Sequence, residues 1–225
     1  MDVRTRRYIF YAIWFLLLSL PLITFLKNTN LSTAFSNPVL ILNTFQRLTG
    51  MTAYILLFIQ IMLGAFMDHW VQVIGAKAYK FHITQGLFIY GLVLVHPTLY
   101  LLITYQLTNN LLQSFLVILP SFKNQTETLL VFGKTALLLL TVSVTAAYFR
   151  TKPFFRRNWK AFHILNYLVF YLVFYHARIG TDLASQPFDT FYWLALFLVT
   201  MTIIYKLFYP RLFKMFQQKL NQSKV

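Results

Sequence analysis

Residues 8–26 have the sequence YIFYAIWFLLLSLPLITFL, which contains no charged side chain. At about 1.5 Å per residue, a helix of this length reaches about 29 Å, close to the thickness of the hydrocarbon core of a bilayer. The run is longer than the apolar region of a signal peptide, and no cleavage site of small residues follows it. We therefore expect residues 8–26 to form a retained first membrane span.

The composition of the whole chain also indicates a membrane protein. Of its 225 residues 58% are hydrophobic and 11% are charged, whereas a soluble domain usually has about 25% charged residues. The spans predicted from the apolar runs are 8–26, 50–67, 81–104, 129–149, 160–178 and 189–208. The apolar segment 111–120 is too short to cross, so we expect it to be re-entrant or interfacial. The predicted fold class is all-α integral membrane, a six-transmembrane-helix bundle that forms a single domain over residues 1–225.

The distribution of basic residues predicts how this bundle is oriented. If the N-terminus is cytoplasmic, 15 of the 20 Lys and Arg residues lie on the inner side, as the positive-inside rule requires. We therefore expect a multi-pass protein of the cell membrane with both termini in the cytoplasm. The net charge of +15 does not indicate a nucleic-acid partner, because the basic residues lie between apolar runs rather than on one folded face.

Four histidines lie inside predicted spans, His82 and His96 in the third and His163 and His176 in the fifth. Ionisable residues within spans are costly and usually functional, and neutral imidazole is a good ligand for iron. The first pair is 14 residues apart, about 21 Å along a helix and within about 40° of one face. This separation suits two haems, one in each leaflet. Because the third and fifth spans run in the same direction, we expect His82 to pair with His163 toward the cytoplasm. His96 should pair with His176 toward the outside.

The spacing in the fifth span leaves one discrepancy and one alternative. Thirteen residues place the second pair about 140° out of phase, so either the helix is distorted or two haem planes differ in azimuth. The alternative function is a haem-free polytopic transporter or membrane scaffold with core histidines. The near absence of acidic residues from the spans and the few breakers there, Pro21 and Pro97, count against transport. His69, beside Asp68, is interpreted as a solvated loop residue.

Two stretches resemble a known family. Residues 81–82 (FH) with His96 fourteen residues after the first histidine, and residues 159–163 (WKAFH) with His176 thirteen residues on, resemble the ferric-reductase-like transmembrane domain. NADPH oxidases, metalloreductases and the membrane subunit of the periplasmic methionine sulfoxide reductase system share this domain. The resemblance covers about residues 45–208.

The resemblance implies two haem b groups with axial ligands at His82, His96, His163 and His176. It also implies that Arg47, in residues 46–50 (QRLTG), lies near the outer haem and pairs with a propionate or an acceptor. The alternative for Arg47 is an ordinary interfacial arginine that reaches the headgroups. The absence of cysteine excludes iron–sulfur clusters and covalently attached haem.

The electron donor is expected to be a separate component. Residues 156–159 (RRNW) and 166–167 (NY) resemble the bacterial members, and the cluster of Arg150, Arg156 and Arg157 is interpreted as a topology anchor. Contact of this cluster with inner propionates or a flavin phosphate is the alternative, which makes a flavin a further candidate cofactor. The chain has no G-x-G-x-x-G phosphate loop and no room after residue 208 for the flavin and nicotinamide domain of the oxidases.

These expectations combine into one predicted function. With imidazole on both sides, each iron has no open position, which favours outer-sphere electron transfer over chemistry at the iron. The chain is therefore expected to be a diheme b-type transmembrane electron-transfer protein, an oxidoreductase component with no catalytic residue assigned. Its donor would be a flavin reductase, a bound flavin or a membrane quinol, and its acceptor an outer-side molecule or periplasmic partner. A ferric reductase and the haem subunit of a periplasmic oxidoreductase remain rival forms of this function.

Overall fold

The structure is a computed structural model that describes residues 2–222, with side chains for residues 2–208. The protein is 86% helical, and no strand occurs in the described residues, so the all-α prediction is confirmed. The helices are α1 (Val3–Asn28), α2 (Leu31–Ala34), α3 (Pro38–Ala65), α4 (Met67–Ile74), α5 (Lys77–Thr108), α6 (Leu111–Leu116), α7 (Gln125–Tyr148), α8 (Pro153–Ala177) and α9 (Phe188–Gln222). A 3-10 helix at Thr181–Ala184 lies between α8 and α9.

Five helices are long and apolar enough to cross a membrane. They are α1, α3, α5, α7 and residues 188–208 of α9, so the prediction of a multi-pass membrane protein is confirmed. The predicted span 160–178 corresponds to α8, which ends one residue earlier, at Ala177. Helix α8 does not belong to this set because polar residues interrupt its apolar sequence, namely Lys160, His163, Asn166 and His176. A sixth crossing, and the orientation of the termini, stay predictions.

Helix α3 begins well before its predicted start. The Asn37 side chain accepts a hydrogen bond from the backbone N–H of Leu40 at 3.0 Å, and Pro38 occupies the first turn. An asparagine cap followed by proline is a strong helix start. The extension carries Gln46 and Arg47, polar residues that interrupt the apolar pattern from which the span was predicted.

The apolar segment 111–120 contains only the short helix α6. Its cap, Asn110, accepts from the backbone N–H of Gln113 at 3.0 Å. A helix of this length extends about 9 Å, far less than the bilayer core requires. The segment therefore does not cross a membrane, as its length predicted.

Two antiparallel helix pairs form the centre of the protein. Helix α3 packs chiefly against α5, and α7 packs chiefly against α8. Aromatic residues connect α3, α8 and α9: the rings of Phe174 and Tyr192 are stacked 4.3 Å apart, and the Tyr192 hydroxyl donates to the Phe174 carbonyl at 2.6 Å. The Tyr54 hydroxyl donates to the Tyr192 carbonyl at 3.2 Å. In a bilayer such close packing and interhelical hydrogen bonds are what hold helices together.

Candidate functional site

The four span histidines form two pairs between α5 and α8. The ring centres of His82 and His163 are 6.1 Å apart, and their planes make an angle of 67°. The ring centres of His96 and His176 are also 6.1 Å apart, with an angle of 87° between the planes. The structure thus brings together the same pairs that depth in the membrane predicted from the sequence. Their role as ligands stays a prediction.

The two histidine pairs lie at the interface between the helix pair α3–α5 and the helix pair α7–α8. Helix α5 carries two of the rings and packs mainly on α3, while α8 carries the other two and packs mainly on α7. All four histidines are partly buried. Among the described residues, no group of three or more His, Cys, Asp or Glu side chains lies together, so any metal here would take its protein ligands two at a time.

The distance of 6.1 Å between ring centres distinguishes between two kinds of contact that imidazoles can make. Two rings that share an N–H···N bond of about 2.9 Å have centres at most about 5.2 Å apart, because each nitrogen lies about 1.15 Å from its ring centre. Two rings bound to opposite sides of one metal ion at about 2.0 Å have centres about 6.3 Å apart. Both pairs are too widely spaced for a direct hydrogen bond, and both fit ligation from two sides.

Backbone carbonyls orient the rings of His96 and His176, which we call the outer pair after the side of the membrane predicted for it, as we call His82 and His163 the inner pair. His96 Nδ1 lies 3.0 Å from the carbonyl oxygen of Gln46 on α3. His176 Nδ1 lies 3.0 Å from the carbonyl oxygen of Leu129 on α7. A carbonyl oxygen can only accept, so each Nδ1 carries the proton and each Nε2 keeps its lone pair. This is the tautomer in which a histidine binds a metal through Nε2.

Glycines make room for the same two rings. A Cβ at Gly133 would lie 2.6 Å from His176 Nδ1, and a Cβ at Gly50 would lie 2.9 Å from His96 Cε1. Real Cβ atoms essentially never approach so closely. Each outer ring is therefore held between a glycine and a backbone carbonyl of the neighbouring helix.

Helix α3 also makes room for the ring of His82. A Cβ at Gly64 would lie 3.2 Å from His82 Cε1. The two glycines of α3 end matching segments, 46–50 (QRLTG) and 60–64 (QIMLG), and their spacing of 14 residues equals that of His82 and His96. This Gln-x-x-x-Gly repeat was missed by the sequence analysis, although the shared spacing with the histidines could have revealed it.

A chain of polar side chains leads to the inner pair. The Trp14 indole N–H donates to Gln85 Oε1 at 2.7 Å, and Gln85 Nε2 donates to Gln60 Oε1 at 3.1 Å. Gln60 Nε2 donates to the carbonyl oxygen of His82 at 2.8 Å and lies 3.3 Å from His82 Nε2. Gln60 therefore fixes His82 and also competes for the lone pair of its Nε2.

The other ring of the inner pair has local partners on α8. Asn166 Nδ2 lies 3.4 Å from His163 Nδ1, while Asn166 Oδ1 is buried without a hydrogen-bond partner. Rotation of this amide by 180° brings Oδ1 to the same position, where it accepts from Nδ1–H. The Trp159 ring lies 5.9 Å from the His163 ring. His82 Nδ1 is buried without a partner, so the inner pair retains unsatisfied polar atoms.

Arg47 forms an ion pair that the sequence analysis did not foresee. Its Nε and Nη2 donate to Asp182 Oδ2 and Oδ1, both at 2.7 Å, and Nη2 also donates to the Thr29 hydroxyl at 2.9 Å. Burial opposes ionisation of Asp182, but hydrogen bonds from Arg47 and Asn28 and the charge of Arg47 outweigh it, so the pKa of the Asp182 carboxyl is lowered. The ion pair lines a polar cavity of about 570 Å³. A role for Arg47 in cofactor binding stays a prediction.

The remaining predicted residues are at the surface. His69 is exposed, as predicted, but it lies in helix α4 rather than in a loop. Arg150, Arg156 and Arg157 are exposed as well, which is compatible with their interpretation as a topology anchor.

Comparison with known proteins gives no relative: no family model, no curated protein and no solved structure matches the chain. The resemblance to the ferric-reductase-like domain therefore rests on the histidine spacing and the flanking residues quoted above.

Proposed function

We propose that this chain is a diheme b-type transmembrane electron-transfer protein, similar to the ferric-reductase-like domain. His82 and His163 would hold one haem b, and His96 and His176 would hold the other. When bound, haem supplies a one-electron redox couple whose potential depends on its axial ligands and surroundings. The rest of the protein would be a six-span bundle with both termini cytoplasmic.

The observation that carries this proposal is the repetition of one ring spacing in two separate pairs. Both pairs have centres 6.1 Å apart, near the 6.3 Å or so estimated for two imidazoles on one metal ion. The two levels are about 21 Å apart along α5. Two rings in ordinary contact can have centres anywhere between about 4.5 and 7 Å apart, so the agreement of both pairs with one value near that of ligation supports the proposal.

The chain's own residues orient and protect the ligands. The carbonyl oxygens of Gln46 and Leu129 accept from Nδ1–H of the outer rings, which fixes their tautomer and raises the basicity of Nε2. Gly50 and Gly133 let α3 and α7 close over these rings. At the inner pair, Gln60 would have to release His82 Nε2 for ligation.

The charge distribution gives the proposed direction of electron flow. In the proposed six-span topology 15 of the 20 basic residues lie on one side, which the positive-inside rule assigns to the cytoplasm, so the inner pair would face the cytoplasm. Electrons would enter there from a flavin reductase, a bound flavin or a quinol, and leave on the outer side to an acceptor or periplasmic partner. A ferric reductase and a haem subunit of a periplasmic oxidoreductase are both compatible with this arrangement.

Haem content of purified variants tests the proposal. The protein is expressed with excess haem and purified in detergent, and haem is measured by pyridine haemochrome assay and reduced-minus-oxidised spectra. The parent chain should bind about two b haems, one for each histidine pair. His96→Ala and His163→Ala should each retain one, and His69→Ala, which removes an exposed histidine, should retain two.

Double variants test the pairing itself. His96→Ala combined with His176→Ala should lose no more haem than either single change, because both residues belong to one pair. His96→Ala combined with His163→Ala should lose both haems. A parent chain that binds no haem would refute the proposal and favour a haem-free membrane protein with core histidines. Equal losses in the two double variants would refute the pairing.

A further inference from the structure

An apolar groove lies between α1, α3 and α4, and none of the four paired histidines lines it. It has a volume of about 380 Å³, and its walls include Ile13 and Leu17 of α1, Met62 and Leu63 of α3, and Val73 of α4. All of these side chains are aliphatic or thioether groups. The groove therefore offers apolar contacts to a long apolar ligand.

The polar atoms that line the groove are satisfied with one exception. The indole N–H groups of Trp14 and Trp70 donate to Gln85 and to the Met62 carbonyl. Arg6, at one end of the groove, has a buried Nε with no hydrogen-bond partner. An unpaired charged group beside an apolar groove is unfavourable, so the Arg6 guanidinium group indicates an acceptor supplied by a ligand.

The neighbouring arginines of α1 do not share this feature. Arg7 Nε donates to the Ile74 carbonyl at 3.0 Å, and Arg4 Nε donates to the Tyr8 hydroxyl at 3.4 Å. Within the described part of the chain, Arg6 makes no ion pair. The acceptor therefore has a specific position, at Arg6 and over the end of the groove.

The depth of the groove indicates which acceptor it is. Arg6 lies two residues before the uncharged run 8–26 of α1. Helix α4 is short, with Asp68 and His69 exposed, while Trp70 and Val73 line the groove. Such an amphipathic helix lies at the boundary between headgroups and acyl chains. At this boundary the membrane itself supplies phosphate, which guanidinium binds through charge-assisted hydrogen bonds.

The local charge selects among phospholipids. Arg6 and Arg7 lie near the start of α1, and Lys77 and Lys80 lie at the start of α5, directly after α4. A cluster of cations beside a groove between helices is typical of sites for anionic headgroups. A zwitterionic lipid would bring a second positive charge into this cluster.

We propose that the groove binds one acyl chain of an anionic glycerophospholipid whose phosphate accepts hydrogen bonds from the Arg6 guanidinium group. This site is independent of the proposed haem function. Its occupant would hold α1 against α3 and α4, and Trp14 would connect it to the polar chain that ends at His82.

Native mass spectrometry of the detergent-purified full chain, titrated with phosphatidylglycerol or phosphatidylcholine, tests the proposal. One phosphatidylglycerol should bind about tenfold more tightly than phosphatidylcholine. Arg6→Gln should weaken phosphatidylglycerol binding about tenfold, through loss of the charge-assisted bond. Arg4→Gln, an identical change at an exposed arginine, should weaken it by less than about twofold.

A second pair of variants tests the apolar part. Ile13→Trp fills the groove and should weaken binding of both lipids, whereas Phe15→Trp, at an exposed position of α1 that does not line the groove, should not. Thermal denaturation in detergent checks that each variant is folded. Equal effects of Arg6→Gln and Arg4→Gln, or unaltered binding in Ile13→Trp, would overturn the proposal. So would displacement of the lipid by a short-chain quinone at equal concentration.

Discussion

Gly133→Ala should remove the outer haem while leaving the inner one. The new Cβ would lie 2.6 Å from Nδ1, 2.7 Å from Cε1 and 2.8 Å from Cγ of His176. Ordinary contacts begin at about 3.4 Å, so the ring must withdraw by about 0.8 Å, more than the roughly 0.5 Å within which a binding site keeps its geometry. The ring cannot withdraw freely, because Nδ1 is held by the Leu129 carbonyl at 3.0 Å. We expect about one haem per chain and a loss of about 1–3 kcal/mol of stability from overpacking.

The other glycines provide a graded series with an internal control. A Cβ would lie 2.9 Å from the His96 ring at Gly50 and 3.2 Å from the His82 ring at Gly64, and it would meet nothing within 4 Å at Gly91. The loss of haem should therefore decrease in the order Gly133→Ala, Gly50→Ala, Gly64→Ala. Gly91→Ala should keep both haems and gain up to about 1 kcal/mol, because alanine favours the helix.

Haem content, reduced-minus-oxidised spectra and thermal denaturation of all four variants provide the measurement. Selective loss of one spectral component in Gly133→Ala would link the close contact to one ligand pair. The reasoning would be refuted if Gly133→Ala kept two haems with unchanged spectra. It would also be refuted if Gly91→Ala lost as much haem as Gly133→Ala, since the two changes differ only in what the methyl group meets.

Two further changes test other parts of the structure. Gln85→Leu leaves the Trp14 indole N–H and the Gln60 amide oxygen without partners, so it should cost about 1–3 kcal/mol and shift the potential of the inner haem alone in a redox titration. Asp182→Asn should lower stability at pH 7 by about 1.5–3 kcal/mol, since it removes the charge-assisted bonds from Arg47. Folding lowers the pKa of Asp182 below 3.8, so its contribution is present above that pH and lost as pH falls through the folded pKa. The melting temperatures of parent and variant should therefore converge only below about pH 4, and a constant difference down to pH 3 would contradict this account.

The helical architecture could be predicted from the sequence because long runs of apolar residues indicate helices that contact lipid. The predicted boundaries failed where local polar chemistry extends a helix beyond its apolar run. Asn37 and Pro38 start α3 in a segment that contains Asn43, Gln46 and Arg47, and no measure of apolarity detects that start. In the predicted span 160–178 the candidate ligands His163 and His176 are themselves polar. They lower the hydropathy of α8, which is not among the five helices that are long and apolar enough to cross a membrane.

The histidine pairing was predictable because depth depends only on position within parallel spans. The contacts around the rings were not, because they depend on the register between antiparallel helices. Gly50 meets His96 and Gly64 meets His82 only in one alignment of α3 on α5. The ion pair of Arg47 could not be predicted for the same reason. Its partner Asp182 is distant in the sequence, and nothing in the sequence around a loop carboxylate indicates which arginine it will contact.

The phase discrepancy of the fifth span is resolved by the neighbour of α8 rather than by α8 itself. Helix α8 is continuous from Pro153 to Ala177, so a local distortion does not bring His176 into line with His163. A displacement of about 140° instead turns His176 toward α7, where Gly133 leaves room for its ring and the Leu129 carbonyl holds it. Gly133 thus gives the His176 ring its place beside α7, as Gly50 and Gly64, 14 residues apart on α3, give the rings of His96 and His82 theirs. Three of the four rings therefore meet a glycine of the neighbouring helix, and both histidine pairs form although the histidines are 14 residues apart on α5 and 13 apart on α8.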